Sequence, residues 1–460
     1  MLDSRYLTYL RRCILALGIV ILLLMSVPVP GADNGTITLR LEDPTSQPTQ
    51  SSPSTEPNPN QADAPTVAPP PQSPSVRQPD VKAASVVVMD LATGQVIYEK
   101  NPHMRRPNAS TTKIMTAILL IEHCKMTDMI KASKKASETP FTSLNLRPGE
   151  KISVKDLLMG MLIRSANDAA VAAAEHIAGS VPKFAEMMNE KAAEIGCKDT
   201  HFVTPNGLHD DKHYSSAYDL CLMARYALKY PIFNEAINTK KHILDSRTIN
   251  KKDLAVFART KFMKDYPGAD GVKSGYIKQA GYCYVGSATR NGWRLVSAVL
   301  KSDNAGRDTA TVMDFGFNNF EPLTVIQAGQ TCTQAEIKGG AAKTVEAAVE
   351  DDLKVVVPKT GAQVTTKYNL KLVEAPIARG AKLGTVTASV NGVDVTSVNL
   401  YATQDIGVSF ARRAWWWIKT CSIVAICLMI GNKYGTAFTK NTRRRRRRVT
   451  ASLRDFNRFR

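Results

Sequence analysis

Hydrophobic and polar positions change their spacing several times along the chain, and each change marks an element. Ser85-Val86-Val87-Val88-Met89-Asp90 breaks at Ala92-Thr93-Gly94 and resumes over Gln95 to Tyr98, which predicts a hairpin about a glycine turn. Asn108-Ala109-Ser110-Thr111-Thr112-Lys113 then runs into the unbroken apolar stretch Ile114 to Ile121, a buried helix with Ser110 and Lys113 in its first turn. Val154 to Ile163 has Leu157, Leu158, Met161 and Leu162 on one helical face. The pattern breaks at Arg164-Ser165-Ala166-Asn167-Asp168 and resumes at Ala169, so a short polar loop joins two helices. Further helices are predicted over Phe184 to Ile195, Ala217 to Tyr230 and Thr309 to Phe317. Between the last two, Gly268 to Tyr276, Gly281 to Ala288 and Trp293 to Leu300 read as adjacent antiparallel strands.

From about Glu321 the runs shorten. Ala341 to Val349, Lys354 to Val357, Val364 to Tyr368 and Thr385 to Val390 are split by Gly, Pro and Asn, which predicts a small all-β domain over 321–408. The two ends differ from all of this. Arg5, Arg11 and Arg12 precede an apolar core from Cys13 to Met25, and Gly31-Ala32 follow, so residues 1–32 read as a signal peptide or a signal anchor. Residues 33–82 read as a linker, because from Asp43 to about Pro79 the composition is Pro, Ser, Thr, Gln and Asn, too polar to bury a core. Trp415, Trp416 and Trp417 open a final apolar stretch over residues 412–431, read as a membrane anchor that either spans the bilayer or lies in its plane.

Charge and cysteine content narrow the class. The net charge is +19, but ten of those charges lie beyond Asn432, in a tail with six consecutive arginines from Arg443 to Arg448. The positive-inside rule puts that tail on the cytoplasmic side, where it meets anionic lipid headgroups. The remaining chain is only mildly basic, so no nucleic-acid partner is implied. Eight cysteines show no CxxC or Cys/His spacing, which leaves room for one disulfide but not for a zinc site or a disulfide framework.

Three short motifs carry the candidate chemistry. Ser110 and Lys113 lie three residues apart, on one helix face, where the amine approaches the hydroxyl. A lysine desolvated there is pushed towards its neutral, basic form. Ser165 and Asn167 face a cleft from the interhelical loop. Lys273-Ser274-Gly275 on a strand edge offers a cation and a hydroxyl for a carboxylate, and Gly275 lets a substrate backbone approach. Each alone is weak: Ser180-Val181-Pro182-Lys183 repeats the first pattern, Ser143-Leu144-Asn145 the second and Lys359-Thr360-Gly361 the third.

Their order on helix, loop and strand is what carries weight, and it matches the triple of β-lactamases and penicillin-binding proteins. Residues 83–320 resemble the D-alanyl-D-alanine carboxypeptidases, the low-molecular-mass penicillin-binding proteins. The match extends to Ser165-Ala166-Asn167-Asp168-Ala169, Met188-Asn189-Glu190-Lys191-Ala192, Thr204-Pro205-Asn206-Gly207-Leu208, Asp270 to Tyr276 and Ala280-Gly281-Tyr282-Cys283. Ser274 stands where Thr is commoner, and so does Ile277. The resemblance implies an α/β (α+β) serine β-lactamase/DD-peptidase-like domain, an antiparallel sheet with a helical subdomain, followed by the all-β domain. It implies a Ser110 acyl-enzyme with Lys113 as general base, and Ser165 helping to protonate the leaving D-alanine. Asn167 would hold the substrate amide, Lys273 and Ser274 the terminal carboxylate, and the N–H groups of Ser110 and Tyr276 the oxyanion. The implied partners are peptidoglycan stem peptides, β-lactams and membrane lipid, with no cofactor or metal, at the extracytoplasmic face of a bacterial cell membrane. A secreted β-lactamase would need a Glu-x-x-Leu-Asn loop between the second and third motifs, and Glu186-Met187-Met188-Asn189 falls in a predicted helix instead. An endopeptidase or transpeptidase using the same site stays open.

Overall fold

The computed structural model describes residues 36–40 as backbone, and residues 77–252, 254–258 and 261–429 in full. The stretch read as a signal, 1–32, and the basic tail at 432–460 lie outside the described residues. The hairpin forms as β1 (Ser85–Asp90) and β2 (Val96–Lys100), and the three later strands as β3 (Ala269–Ile277), β4 (Gly281–Arg290) and β5 (Trp293–Ser302). They make one antiparallel sheet in the order β2-β1-β5-β4-β3, which leaves β3 on an edge. β1 is apolar almost throughout because both of its faces are covered. Val87 and Met89 join one core cluster, and Val86 and Val88 another.

The first of these clusters is built by helices α1 (Lys113–His123), α2 (Val154–Ile163), α3 (Asn167–Ala178), α4 (Val181–Ile195), α5 (Ala217–Ala227) and α6 (Pro231–Asn238). Residues 113–120 of α1 are all buried, so this helix has no solvent stripe and serves as the axis of the domain. The opposite sheet face is covered by α7 (Ala305–Asn319) through Val312, Met313 and Phe315. Several helices begin at side-chain caps: Ser153, Ser180, Ser216 and Asn304 each accept an N–H three residues on. Ser180 is therefore a helix cap and has no part in the chemistry its pattern imitates.

Three expectations are corrected. The helix read from Ala217 to Tyr230 ends at Ala227, and Pro231 starts a separate one, since proline fits a first turn but not a helix interior. Thr36–Arg40, inside the stretch read as linker, pairs antiparallel with Gln363–Leu370 as an edge strand of the C-terminal sheet. Its Thr-Ile-Thr-Leu alternation precedes the polar run that begins at Asp43. The cysteines described, Cys124, Cys197, Cys221, Cys283, Cys332, Cys421 and Cys427, are all free thiols.

From Phe320 to Ala402 the chain is all β. A seven-stranded sheet runs Thr36–Arg40, Gln363–Leu370, Lys382–Val390, Val393–Ala402, Thr344–Val349, Thr331–Lys338 and Val373–Glu374, beside a ribbon of Phe320–Ile326 and Leu353–Pro358. The two domains are joined by a reciprocal pair of bonds. Gln95 Nε2 donates to the Val356 carbonyl, and the Val356 N–H donates to Gln95 Oε1, both at 2.8 Å. Residues 410–429 are helical, with Trp416, Trp417, Ile423, Leu428 and Met429 exposed. Among the described residues no helix is long and apolar enough to cross a membrane. Arg412, Arg413 and Lys419 interrupt this one.

Candidate active site

Ser110 lies in a single 3-10 turn, Ala109–Thr112, that leads directly into α1 at Lys113. The expected helix therefore starts one tight turn later than its serine. First-turn N–H groups lack intrahelical partners, so the Ser110 N–H is available to an anion. Ala109 has φ of +49°, left-handed for an alanine and strained by roughly 1–3 kcal/mol. Gly275 of β3 packs on this turn, where a side-chain carbon would meet Ser110 N at 2.8 Å and Ala109 Cβ at 3.0 Å. The third motif is thereby brought against the first. We expect Gly275→Ala to push β3 and the turn apart by a few tenths of an ångström and slow acylation roughly 100-fold. A β-lactam acylation time course checks this, with near-ultraviolet circular dichroism showing the fold retained.

Lys113 is fully buried. Its Nζ is 3.0 Å from Ser110 Oγ and donates to Asn167 Oδ1 and to the Asn206 carbonyl, each at 2.7 Å. Neither of these last two oxygens has a proton to give, so a neutral amine must turn both hydrogens towards them. Its lone pair is then left facing the Ser110 hydroxyl. The environment favours that neutral form. Burial lowers the amine far below its ordinary value of 10.5, and the Lys273 cation lowers it further against the opposing Asp168 carboxylate.

Asn167 opens α3 and is buried. Its Nδ2 donates to the Pro140 carbonyl at 2.9 Å while Oδ1 receives Lys113. The amide expected to hold substrate is thus used first to orient the base, with one N–H still free. Ser165 sits between α2 and α3, half-buried, with φ of +65°. Among the described residues its hydroxyl bonds to no protein group, unlike that of Ser110. Lys273 is buried and driven down to about 7 by desolvation, with Nζ donating to the Ser274 carbonyl at 2.9 Å. Ser274 and Tyr276 are exposed on the same edge strand, and Tyr276 leans on Tyr282 with ring centroids 4.6 Å apart.

Several supporting residues lie outside the three short motifs. The turn Thr204 to Leu208 supplies the Asn206 carbonyl to Lys113, and Pro205 accepts from Thr116 Oγ1. Gly207, at φ of +81°, lies so close to the Ala109 carbonyl that a side-chain carbon would be 1.9 Å from its oxygen. Asp168 receives the Leu144 and Leu146 N–H groups and the Ser143 hydroxyl, which fastens the loop carrying Pro140. Ser143 is therefore a loop anchor. The buried Arg247–Glu150 pair braces the same loop, Arg247 donating to the Leu144 and Asn145 carbonyls. Apart from those of Asp168, these contacts join residues about 90–100 positions apart, and only folding brings them into register.

Comparison with known proteins points to one family. Residues 72–304 match the family described as D-alanyl-D-alanine carboxypeptidase, and residues 320–408 match the C-terminal domain of penicillin-binding protein 5. The chain is 34% identical over 347 residues to D-alanyl-D-alanine carboxypeptidase DacF of Bacillus subtilis, covering 72% of this chain and 89% of that one. It is 32% identical over 368 residues to DacA of Haemophilus influenzae, covering 75% and 90%. Penicillin-binding protein 5 of Haemophilus influenzae superposes with a TM-score of 0.65 at 30% identity, over 72% of this chain and all of that one. With both of its domains matched in order along one chain, the protein belongs to the D-alanyl-D-alanine carboxypeptidase family of serine-type hydrolases.

Proposed function

We propose that this protein removes the terminal D-alanine from peptidoglycan stem pentapeptides through an acyl-enzyme on Ser110, and that β-lactams acylate the same residue. The observation that carries this reading is the lone pair of Lys113 directed at Ser110 Oγ from 3.0 Å, with both amine hydrogens committed elsewhere. Lys113 takes the hydroxyl proton as Ser110 attacks the carbonyl of the penultimate residue. The tetrahedral oxyanion forms against the N–H groups of Ser110 and Tyr276, each worth roughly 2.7–4 kcal/mol where such donors have been removed. As the carbon–nitrogen bond breaks, the proton passes to the leaving amine by way of Ser165. Water, activated by the same base, then hydrolyses the ester and restores Ser110. Lys273 and Ser274 receive the substrate's terminal carboxylate, and Gly275 gives its backbone room. Asn167 positions Lys113, and its spare N–H meets the substrate amide.

The reading also places the catalytic domain outside the cytoplasm, where peptidoglycan lies. The helical residues 410–429 would attach it to the membrane as an in-plane anchor, with exposed tryptophans at the headgroup level.

The discriminating experiment incubates the full chain in detergent with a stem pentapeptide and with a cross-linked dimer. Free D-alanine from the pentapeptide is expected; cleavage of the cross-bridge alone would make the enzyme an endopeptidase. The pH dependence tests the carboxylate site. Lys273 must be protonated to pair with a carboxylate, and its charge is lost as pH rises through about 7. KM should therefore climb on the alkaline side for a free carboxylate and stay level for the amidated peptide, with Lys273→Gln raising KM about tenfold or more at neutral pH. Equal alkaline profiles for the two peptides would remove Lys273 from that role.

A further inference from the structure

Resting on Ser110 as the acylated residue with its N–H as an oxyanion donor, we infer that His213 is a positioning residue for that donor, acting through Thr112. The Ala109 carbonyl and the Ser110 N–H belong to one planar trans peptide and point in opposite directions. Whatever holds the carbonyl therefore aims the N–H. Thr112 Oγ1 donates to the Ala109 carbonyl at 2.8 Å, and Gly207 leaves room for that oxygen. The left-handed Ala109 is not a conformation an alanine keeps unaided, so this bond has something to hold.

Thr112 has a single hydroxyl proton and three polar neighbours. Asn108 Nδ2 donates to Oγ1 from 3.0 Å, and His213 Nε2 lies 2.8 Å away. The proton reaches Ala109 only when Nε2 is itself a donor. The backbone makes it one: the Val203 N–H at 3.0 Å and the Thr204 N–H at 3.3 Å both donate to Nδ1, which must carry a lone pair. His213 is thereby held as the neutral tautomer with hydrogen on Nε2. Burial agrees, since it lowers this imidazole to about 4, with the Asp210 carboxylate opposing. The direction of every bond from the Val203 N–H to the Ser110 N–H is then determined.

The test uses the full chain in detergent micelles, a D-Ala-D-Ala-terminated tripeptide and benzylpenicillin. His213→Asn loses the group at Nε2, whereas the amide nitrogen of His213→Gln reaches its position. Thr112→Val loses the hydroxyl, whereas Thr112→Ser keeps it. We expect His213→Asn and Thr112→Val to lower kcat roughly 10- to 100-fold, short of complete loss of an oxyanion donor, with KM changed less than about twofold. The infrared stretch of the acyl-enzyme carbonyl should move to higher frequency in both, as its hydrogen bond weakens, and stay at the wild-type position in His213→Gln and Thr112→Ser. A lowered kcat with an unmoved stretch would show a merely structural role and overturn the inference, as would full activity in both variants. Nitrogen-15 shifts of the wild-type histidines test it without any substitution, because a protonated Nδ1 on His213 overturns it. A wild type that penicillin never acylates would instead remove the Ser110 reading, and this inference with it.

Discussion

Ser110→Ala is expected to abolish both labelling by a fluorescent penicillin and release of D-alanine, lowering kcat by up to about 10⁶-fold. Its hydroxyl is half-buried, caps no helix end and is 3.0 Å from the Lys113 amine. Removal takes away the nucleophile while the strained turn, Gly275 and α1 stay in place. Unfolding free energy should change by only about 0.5–1.5 kcal/mol, the worth of the one hydrogen bond lost to Lys113. Gel fluorescence after incubation with the labelled penicillin is the measurement. Label persisting at Ser165, another hydroxyl of the site, would reassign the nucleophile.

Lys113→Ala should slow acylation at neutral pH by roughly 10²- to 10⁴-fold, the range associated with loss of a positioned base. The wild-type acylation rate should rise with pH as Lys113 loses its proton, and the variant should lose that limb. Near-normal acylation at pH 7 would exclude lysine as the base. Stability changes in the opposite sense. In the unfolded chain the amine keeps its proton up to about its ordinary 10.5, whereas burial makes the native state release it at much lower pH. The native state is therefore penalised increasingly as pH falls below 10.5. Lys113→Ala removes that penalty, so its urea midpoint relative to wild type should improve between pH 10 and pH 7. A difference constant with pH would mean that Lys113 stays protonated in the native state.

Read together, these two substitutions separate attack from proton transfer, and Gly275→Ala adds the geometry that both need. The supporting groups explain why motif residues alone would not make a site. Without the Asn206 carbonyl and Asn167 Oδ1, the amine of Lys113 would be free to donate to Ser110 and no lone pair would be directed at it. Without Asp168 and the Arg247–Glu150 pair, the loop that anchors Asn167 through Pro140 would have no fixed position.

Much of this was legible along the chain, for identifiable reasons. The helix from Lys113 is announced by eight consecutive apolar or small residues, and α2 by its one-sided leucines, because periodicity is a local consequence of burial. The strands β3 to β5 are announced by β-branched and aromatic runs between glycines. Ser110, Lys113, Ser165, Asn167 and Lys273 were visible because their chemistry confines them to particular residue types in a particular order. The edge strand Thr36–Arg40 was lost beside a polar linker, as five residues have too short an alternation to stand out. The break at Leu228 was hidden because Ala217 to Tyr230 keeps helical spacing through it.

What the sequence determined by itself is most of the elements and five candidate side chains, both properties of local pattern and residue chemistry. It left open what surrounds each side chain. Only the tertiary structure decided that Lys113 is desolvated with both hydrogens committed, that Asn167 Oδ1 accepts from Lys113, and that His213 stands behind Thr112. Hydrogen-bond direction and burial depend on groups a hundred residues away, and no spacing along the chain encodes them.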